Sequence, residues 1–342
     1  MTAAINSVSW SLVSVLVDAV RAFGATEQQI SRVLGRDPET VSDSMTRIAP
    51  VNISRLWGLL YLLAGPAAGV AAARRADPGR LHVWDYLIAT APTLADGLRD
   101  AARFNETICD SRIGVEVVEN GSLLTVEYSN WPLEPPVDAV IKEFAIAVTA
   151  RRTRERFGTI GVPVRADFSH PEPADTGYLV DALGTSNIHF ARDRDSIVFP
   201  VGSATTGAVT NDAGLQQVLR SYARRLLESA SLENTWLDAF REVLNSAVWA
   251  GGVGGVTLSK VAMKLGVSDR TLQRRLADHG TTWRAELAMI LRDRAIILLQ
   301  DRSVPVELIA SQFGYRDSRV LDRFFLRWTG QSVAEFRRRL PG

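Results

Sequence analysis

Four residues on one short stretch could read a hydrogen-bonding partner. Arg270, Thr271, Gln273 and Arg274 follow Ser268 in the run Ser268-Asp269-Arg270-Thr271-Leu272-Gln273-Arg274-Arg275-Leu276. Leu272 and Leu276 lie one helical turn apart, so a helix that buries them turns the four polar side chains outward. A glutamine amide pairs bidentately with adenine, and the planar fork of arginine pairs with guanine or grips phosphate. A second set, Arg316, Ser318, Arg319, Arg323 and Arg327, surrounds Val320, Leu321, Phe324 and Phe325. These apolar residues are expected inside, with Asp322 outside among the polar set. Arg275 and Arg337 to Arg339 suit solvent or phosphate better than base edges.

Other chemistry is thinner. Four histidines, His82, His170, His189 and His279, stand without an HExxH or GxSxG pattern or a paired ligand spacing. His170 and His189 could meet on neighbouring strands around a metal or effector, although separate hydrogen-bonding roles fit them better. The single cysteine, Cys109, excludes an intramolecular disulfide and a thiolate zinc site, and suits a reducing compartment. No local cluster of bases activates it, so a buried, inert thiol is expected.

The elements that position the two arginine sets repeat. Thr257 to Leu276 contains Ala262, a turn glycine at Gly266 and a helix cap at Ser268, the layout of two crossing helices joined by a tight turn. The layout recurs 48 positions later with Ala310 and Gly314, plus one extra residue in the second turn. Trp283, Leu287, Ile290, Leu291, Ala295, Leu298 and Leu299 mark one long helix between them. The predicted plan is a first unit at 257–278, a connecting helix at 282–299 and a second unit at 305–328. A rigid connector would let both outward helices enter successive major grooves, about 34 Å apart.

Charge divides the 342 residues the same way. Residues 253–342 carry 16 Lys+Arg against 9 Asp+Glu, a surplus of +7, whereas residues 1–252 carry −6. Such asymmetry points to a polyanionic partner for the C-terminal part alone. Nearly all the cations are arginine, a bias that GC-rich coding also produces.

The N-terminal part has a mixed pattern. Val8, Leu12, Val15, Leu16, Ala19, Val20 and Phe23 follow one face of a helix, without a basic leader. Further helices are predicted near Asn52 and after Thr93. Leu56 to Ala73 is uncharged and 18 residues long, but Gly65-Pro66 divides it into two buried helices rather than a membrane span. Residues 113–118 and 122–128 alternate around Asn120-Gly121 as a hairpin, 137–157 returns to helix, and 162–168 and 196–199 read as strands. Aromatic residues such as Trp57, Tyr61, Trp84, Tyr86 and Trp131 are expected in the core. Residues 200–214 read as a connector, Leu215 to Leu227 as a helix, and the glycines at 251–255 as a loop rather than a phosphate cradle. The expected fold is an α+β N-terminal domain joined to an all-α C-terminal domain with two helix-turn-helix units linked by a long helix. Its expected boundaries are 1–205, 206–233 for the linker and its helix, and 234–342.

The segment from Trp236 to Arg339 resembles the DNA-binding domain of the AraC/XylS transcriptional regulators. Gly314-Tyr315-Arg316-Asp317-Ser318, then Arg323-Phe324-Phe325-Leu326-Arg327-Trp328-Thr329-Gly330 and Glu335-Phe336-Arg337-Arg338, look like that family's second-unit signature. The resemblance places Arg270, Gln273 and Arg274 where the first helix reads bases, and Ser318, Arg319 and Arg323 where the second does. Arg316 stands where the family usually has serine, and could add a phosphate contact. Val333 stands where it usually has proline, which would loosen a helix start. Thr93-Leu94-Ala95-Asp96-Gly97-Leu98 and Phe168-Ser169-His170-Pro171 are similar to the effector and dimerisation domain of one branch of the family. The resemblance implies a cytoplasmic, non-enzymatic regulator without a cofactor or membrane. Its partners would be double-stranded promoter DNA, a small-molecule effector, a second copy, and RNA polymerase if it activates. The alternatives are a non-specific architectural DNA-binding protein and an enzyme domain fused to a DNA-binding module.

Overall fold

The computed structural model describes residues 7–41, 46–110, 112–129, 137–201, 213–229, 236–251, 256–300, 302, 304–329 and 331–339. The connector at 202–212, the glycines at 252–255 and Trp131 lie outside them. The chain forms two compact units, Met1–Glu233 and Asn234–Gly342.

The first unit begins with β1 (Val8–Ser9), α1 (Trp10–Ala22), α2 (Glu27–Leu34), β2 (Arg47–Ile48) and α3 (Pro50–Ala64), followed by α4 (Ala68–Arg75), α5 (Val83–Ala89) and α6 (Leu94–Arg103). Then come β3 (Gly114–Asn120), β4 (Leu123–Ser129), α7 (Val137–Phe157), β5 (Arg165–Asp167), α8 (Gly177–Leu183), β6 (Ile188–His189), β7 (Asp195–Pro200) and α9 (Ala213–Ser229). Strands β1 and β2 pair by themselves, and the larger sheet has the order β3-β4-β7-β5-β6. Its neighbours are antiparallel except β5 and β6.

The hairpin forms as expected, with Gly121 at φ 60° in its turn. Alternation along β4 buries Leu124, Val126 and Tyr128 on one face. Helix α7 packs against that core, with α3, α4, α5 and α8 around it. Gly69 of α4 meets the α7 backbone so closely that an added Cβ would collide with the Val140 carbonyl. The uncharged run after Leu56 is interrupted as expected, since α3 stops at Ala64 and Gly65–Ala67 forms a 3-10 turn before α4.

Helix α1 departs from the one-faced expectation. Val13 and Val17 are buried along with Leu12, Val15, Leu16, Ala19 and Val20, whereas Phe23 is exposed. The reason is that α2, α3 and α4 and both short strands pack around it. Helix α9 docks on the same unit. Ala223 and Leu226 join Val83, Leu87 and Phe104 in a small core, and the Arg220 guanidinium donates to both Asp100 oxygens at 3.0 and 2.7 Å.

The second unit is all helical: α10 (Trp236–Gly251), α11 (Leu258–Lys264), α12 (Asp269–Asp278), α13 (Trp283–Gln300), α14 (Val306–Gln312), α15 (Ser318–Thr329) and α16 (Val333–Arg339). Helix α13 runs through the middle and touches α10, α14, α15 and α16. Inside, Arg241 of α10 donates two parallel hydrogen bonds of 2.8 Å to Glu286 of α13, and Thr281 adds a third at 2.9 Å. Both ends of that ion pair are almost fully buried.

Candidate functional site

The two turns that present α12 and α15 are built alike. At the end of α11 the Val267 N–H donates to the Ala262 carbonyl at 3.0 Å and Gly266 donates to Met263 at 3.1 Å. At the end of α14 the Tyr315 N–H donates to Ala310 at 3.0 Å and Gly314 donates to Ser311 at 2.9 Å. This cap needs a left-handed residue four positions after the first acceptor, and Gly266 and Gly314 supply it at φ 66° and 75°. The four-residue spacing of alanine and glycine is therefore dictated by backbone hydrogen bonding. Ala262 and Ala310 are also both about 1% exposed, small enough for the helices to cross closely.

Ser268 then caps α12, accepting the Thr271 N–H at 3.2 Å. Leu272 and Leu276 are fully buried. Arg270, Gln273 and Arg274 are exposed, and Thr271 is half-buried with its hydroxyl 2.9 Å from Ser268. On α15, Leu321 and Phe325 are buried and Arg319, Arg323 and Arg327 are exposed, as is Arg316 in the turn before it. Ser318 is half-buried and donates to Glu307 at 3.3 Å. Among the described residues, no side-chain hydrogen bond or ion pair holds Arg270, Gln273, Arg274, Arg316, Arg319, Arg323 or Arg327.

Four expectations change. Val320 and Phe324 are half-buried rather than enclosed. Phe324 sits in an aromatic ladder at the surface, with Tyr315 at 5.5 Å and Trp328 at 5.6 Å between ring centres. Asp322 is withdrawn from the outward set, because its Oδ1 accepts the Val333 N–H at 2.7 Å. A proline at 333 has no N–H to give, so valine ties the start of α16 to α15 instead of loosening it. Arg275, expected in solvent or on phosphate, lies over the Trp236 ring at 5.4 Å.

The first unit contains a different kind of site. A cavity of about 100 Å³ lies between α1, α3 and α7, the inner face of β4 and the loop after α6. Trp57 and Trp84, expected in the core, are buried and also form its wall, whereas Tyr86 is about half exposed. The buried Arg47 fixes the loop, donating to the carbonyls of Thr107 at 3.3 Å and Cys109 at 3.0 Å and to Ser7. Burial holds its pKa below the usual arginine range.

The Cys109 thiol faces this cavity, buried and pushed up to about 12 by burial and then by the Asp110 charge, so it is a protonated, unreactive group. Among the described residues, His170 and His189 share no side-chain partner. His170 Nδ1 bonds the Pro171 carbonyl at 2.9 Å, and His189 Nδ1 faces Asp167 and Arg192 at 3.4 and 2.9 Å. Beside His170, burial raises the Glu143 carboxyl to about 8, while Tyr178 donates to it at 2.9 Å.

Cavity residues escaped sequence reading because their spacing is that of any core. Ile141, Phe144 and Val148 recur at helical intervals, and Tyr128 shares the inward face of β4 with Leu124 and Val126. Only the folded arrangement shows that they leave a space.

Comparison with known proteins settles the family. Residues 24–205, more than half of the chain, match the family described as the arabinose-binding domain of AraC transcription regulator, N-terminal, and residues 261–339 match a helix-turn-helix domain. The chain belongs to the AraC family of transcription regulators. Within it, the Ornithine utilization regulator of Pseudomonas aeruginosa is 22% identical over 328 residues, 94% of each chain. The HTH-type transcriptional regulator VqsM of the same species is 42% identical over 81 residues, 24% of this chain and a quarter of VqsM's length. The crystal structure of transcriptional regulator CdpR from P. aeruginosa aligns over 94% of this chain and 97% of its own, at 18% identity and a TM-score of 0.39. As an AraC-type regulator, the protein combines an arabinose-binding-like N-terminal domain with a DNA-binding helix-turn-helix domain.

Proposed function

We propose that this regulator reads promoter DNA with α12 and α15 and is controlled by a small effector in the cavity of its first unit. The observation that carries the proposal is the set of exposed arginines and the glutamine on α12 and α15, which no side-chain partner holds among the described residues and which two turns capped in the same way present. Arg270, Thr271, Gln273 and Arg274 serve as base readers of the first helix, and Ser318, Arg319 and Arg323 as those of the second. Arg316 and Arg327 grip phosphate. Phosphate contacts supply most of the affinity and base contacts the sequence preference.

In this reading the protein is a cytoplasmic homodimer, it meets RNA polymerase where it activates, and it is assigned no reaction. Helix α9 supports the dimer, since it leaves Leu215, Val218 and Tyr222 exposed at helical spacing. It also supports a relay role, being packed on the effector unit and followed in sequence by the DNA-binding unit. The effector shifts DNA affinity only by its differential affinity for two arrangements. The domain limits 1–205, 206–233 and 234–342 follow the same division of labour.

Fluorescence anisotropy on a promoter fragment and an equally long random fragment tests the reading across a salt series. Both affinities must fall with salt, by a slope near −0.9 per neutralised phosphate, with the promoter complex persisting to higher salt. Identical curves would favour an architectural, sequence-blind binder.

A further inference from the structure

We infer that the effector is uncharged and apolar, a molecule with a single small ring, and neither a sugar nor an amino acid. The inference rests on the effector reading of the cavity and concerns only what the cavity would accept.

The walls state the chemistry. Ile53, Trp57, Leu81, Trp84, Ile141 and Phe144 present aliphatic and aromatic surface, with Trp57 and Phe144 meeting edge to face at 5.2 Å. Among the described residues, the lining contains no lysine, arginine or histidine. A carboxylate, phosphate or zwitterion would therefore lose its hydration without gaining a counter-charge. The one lining carboxylate, Asp110, is already gripped by Arg112 through Nε at 3.0 Å and Nη2 at 2.5 Å, so it does not call for a cationic ligand.

Most of the other polar groups on the lining are also engaged. Tyr128 and Thr149 share a hydroxyl–hydroxyl bond of 2.8 Å, Asn105 donates to the Cys109 sulfur at 2.8 Å, and the Trp84 indole donates to the Ala101 carbonyl at 3.1 Å. Ser54 has a partner as well. The several hydroxyls of a sugar would enter without enough partners, and each would forgo its bonds to water. Size limits the occupant to a small molecule. A dry apolar cavity of roughly 150 Å³ binds benzene, and the space here is about 100 Å³, suited to one small ring after slight side-chain adjustment.

The test is isothermal titration of the full-length protein with toluene, p-xylene, L-arabinose and L-ornithine. The proposal expects saturable one-to-one binding of toluene and none of the two polar compounds. Ala145→Phe, which fills the cavity, should weaken toluene at least tenfold while leaving the circular dichroism unchanged. Ile113→Ala, which enlarges the cavity, should tighten p-xylene several-fold, and it provides an independent readout should Ala145→Phe fail to fold. Absence of saturable toluene binding overturns the ligand class. Binding of L-arabinose or L-ornithine that Ala145→Phe abolishes also overturns it, while leaving the cavity as the effector site. Toluene binding insensitive to a folded Ala145→Phe, or p-xylene binding unchanged in Ile113→Ala, overturns the cavity itself.

Discussion

The two units of this regulator handle charge in opposite ways. The first hides it: Arg47, Arg152 and Asp85 are buried, and Arg152 donates to Asp85 at 2.5 and 3.2 Å in the interior. The second displays it, holding Arg270, Gln273, Arg274, Arg316, Arg319, Arg323 and Arg327 exposed without side-chain partners among the described residues, and pairing Arg241 with Glu286 inside. Buried charges define a shape, since each must be matched where it stands. Exposed arginines on a stable helix leave their hydrogen-bonding capacity to a partner. The difference sets the expectation that substitutions in the first unit act through stability and shape, and that those on the faces of α12 and α15 act through binding.

Glu286→Ala should give the largest effect. It strands the Arg241 guanidinium inside the helical unit and should cost about 3 to 5 kcal/mol, read as a lower unfolding midpoint with loss of DNA binding at both helices. An unchanged midpoint would show that the inner pair does not hold the second unit together.

Glu143 comes next. Its carboxyl keeps its proton to about pH 8 in the folded chain, whereas the unfolded chain releases it near 4.3. The folded state binds more protons between those limits, so this group's contribution is fully present below the lower one and is lost as pH rises through about 8. Glu143→Gln should flatten that decline and raise stability by a few kcal/mol at the alkaline end, measured by thermal melts from pH 5 to 9. Parallel curves for the two proteins would contradict the buried neutral acid.

Arg270→Ala and Arg323→Ala should each cost about 1 to 3 kcal/mol at one base position, with random-DNA affinity and melting temperature unchanged. Equal losses on every sequence would reassign them to phosphate. The smallest effect belongs to Arg316→Ala, which should weaken all sequences alike and reduce the salt slope by about 1.

The C-terminal unit was legible because its signals are local. Alanine, then glycine four positions on, records a backbone cap, and leucines at helical spacing record which face is inside. The hairpin at Asn120-Gly121, the start of α6 after Thr93 and the break at Gly65-Pro66 were legible for the same reason. Asp322 was misread because its partner, the Val333 N–H, lies 11 positions away across a turn. Phe324 and Val320 were misread because helical spacing does not separate a sealed core from a half-covered aromatic ladder. The cavity is lined by residues as distant in sequence as Val8 and Thr149, and no window of sequence contains it.

The central claim is that the exposed faces of α12 and α15 read sequence. Selection of genomic fragments bound by the purified full-length protein, at physiological salt with excess competitor DNA, tests it directly. The account predicts a shared motif of two elements about 10 to 10.5 base pairs apart, one for each recognition helix. Enrichment of fragments without a common motif would contradict it.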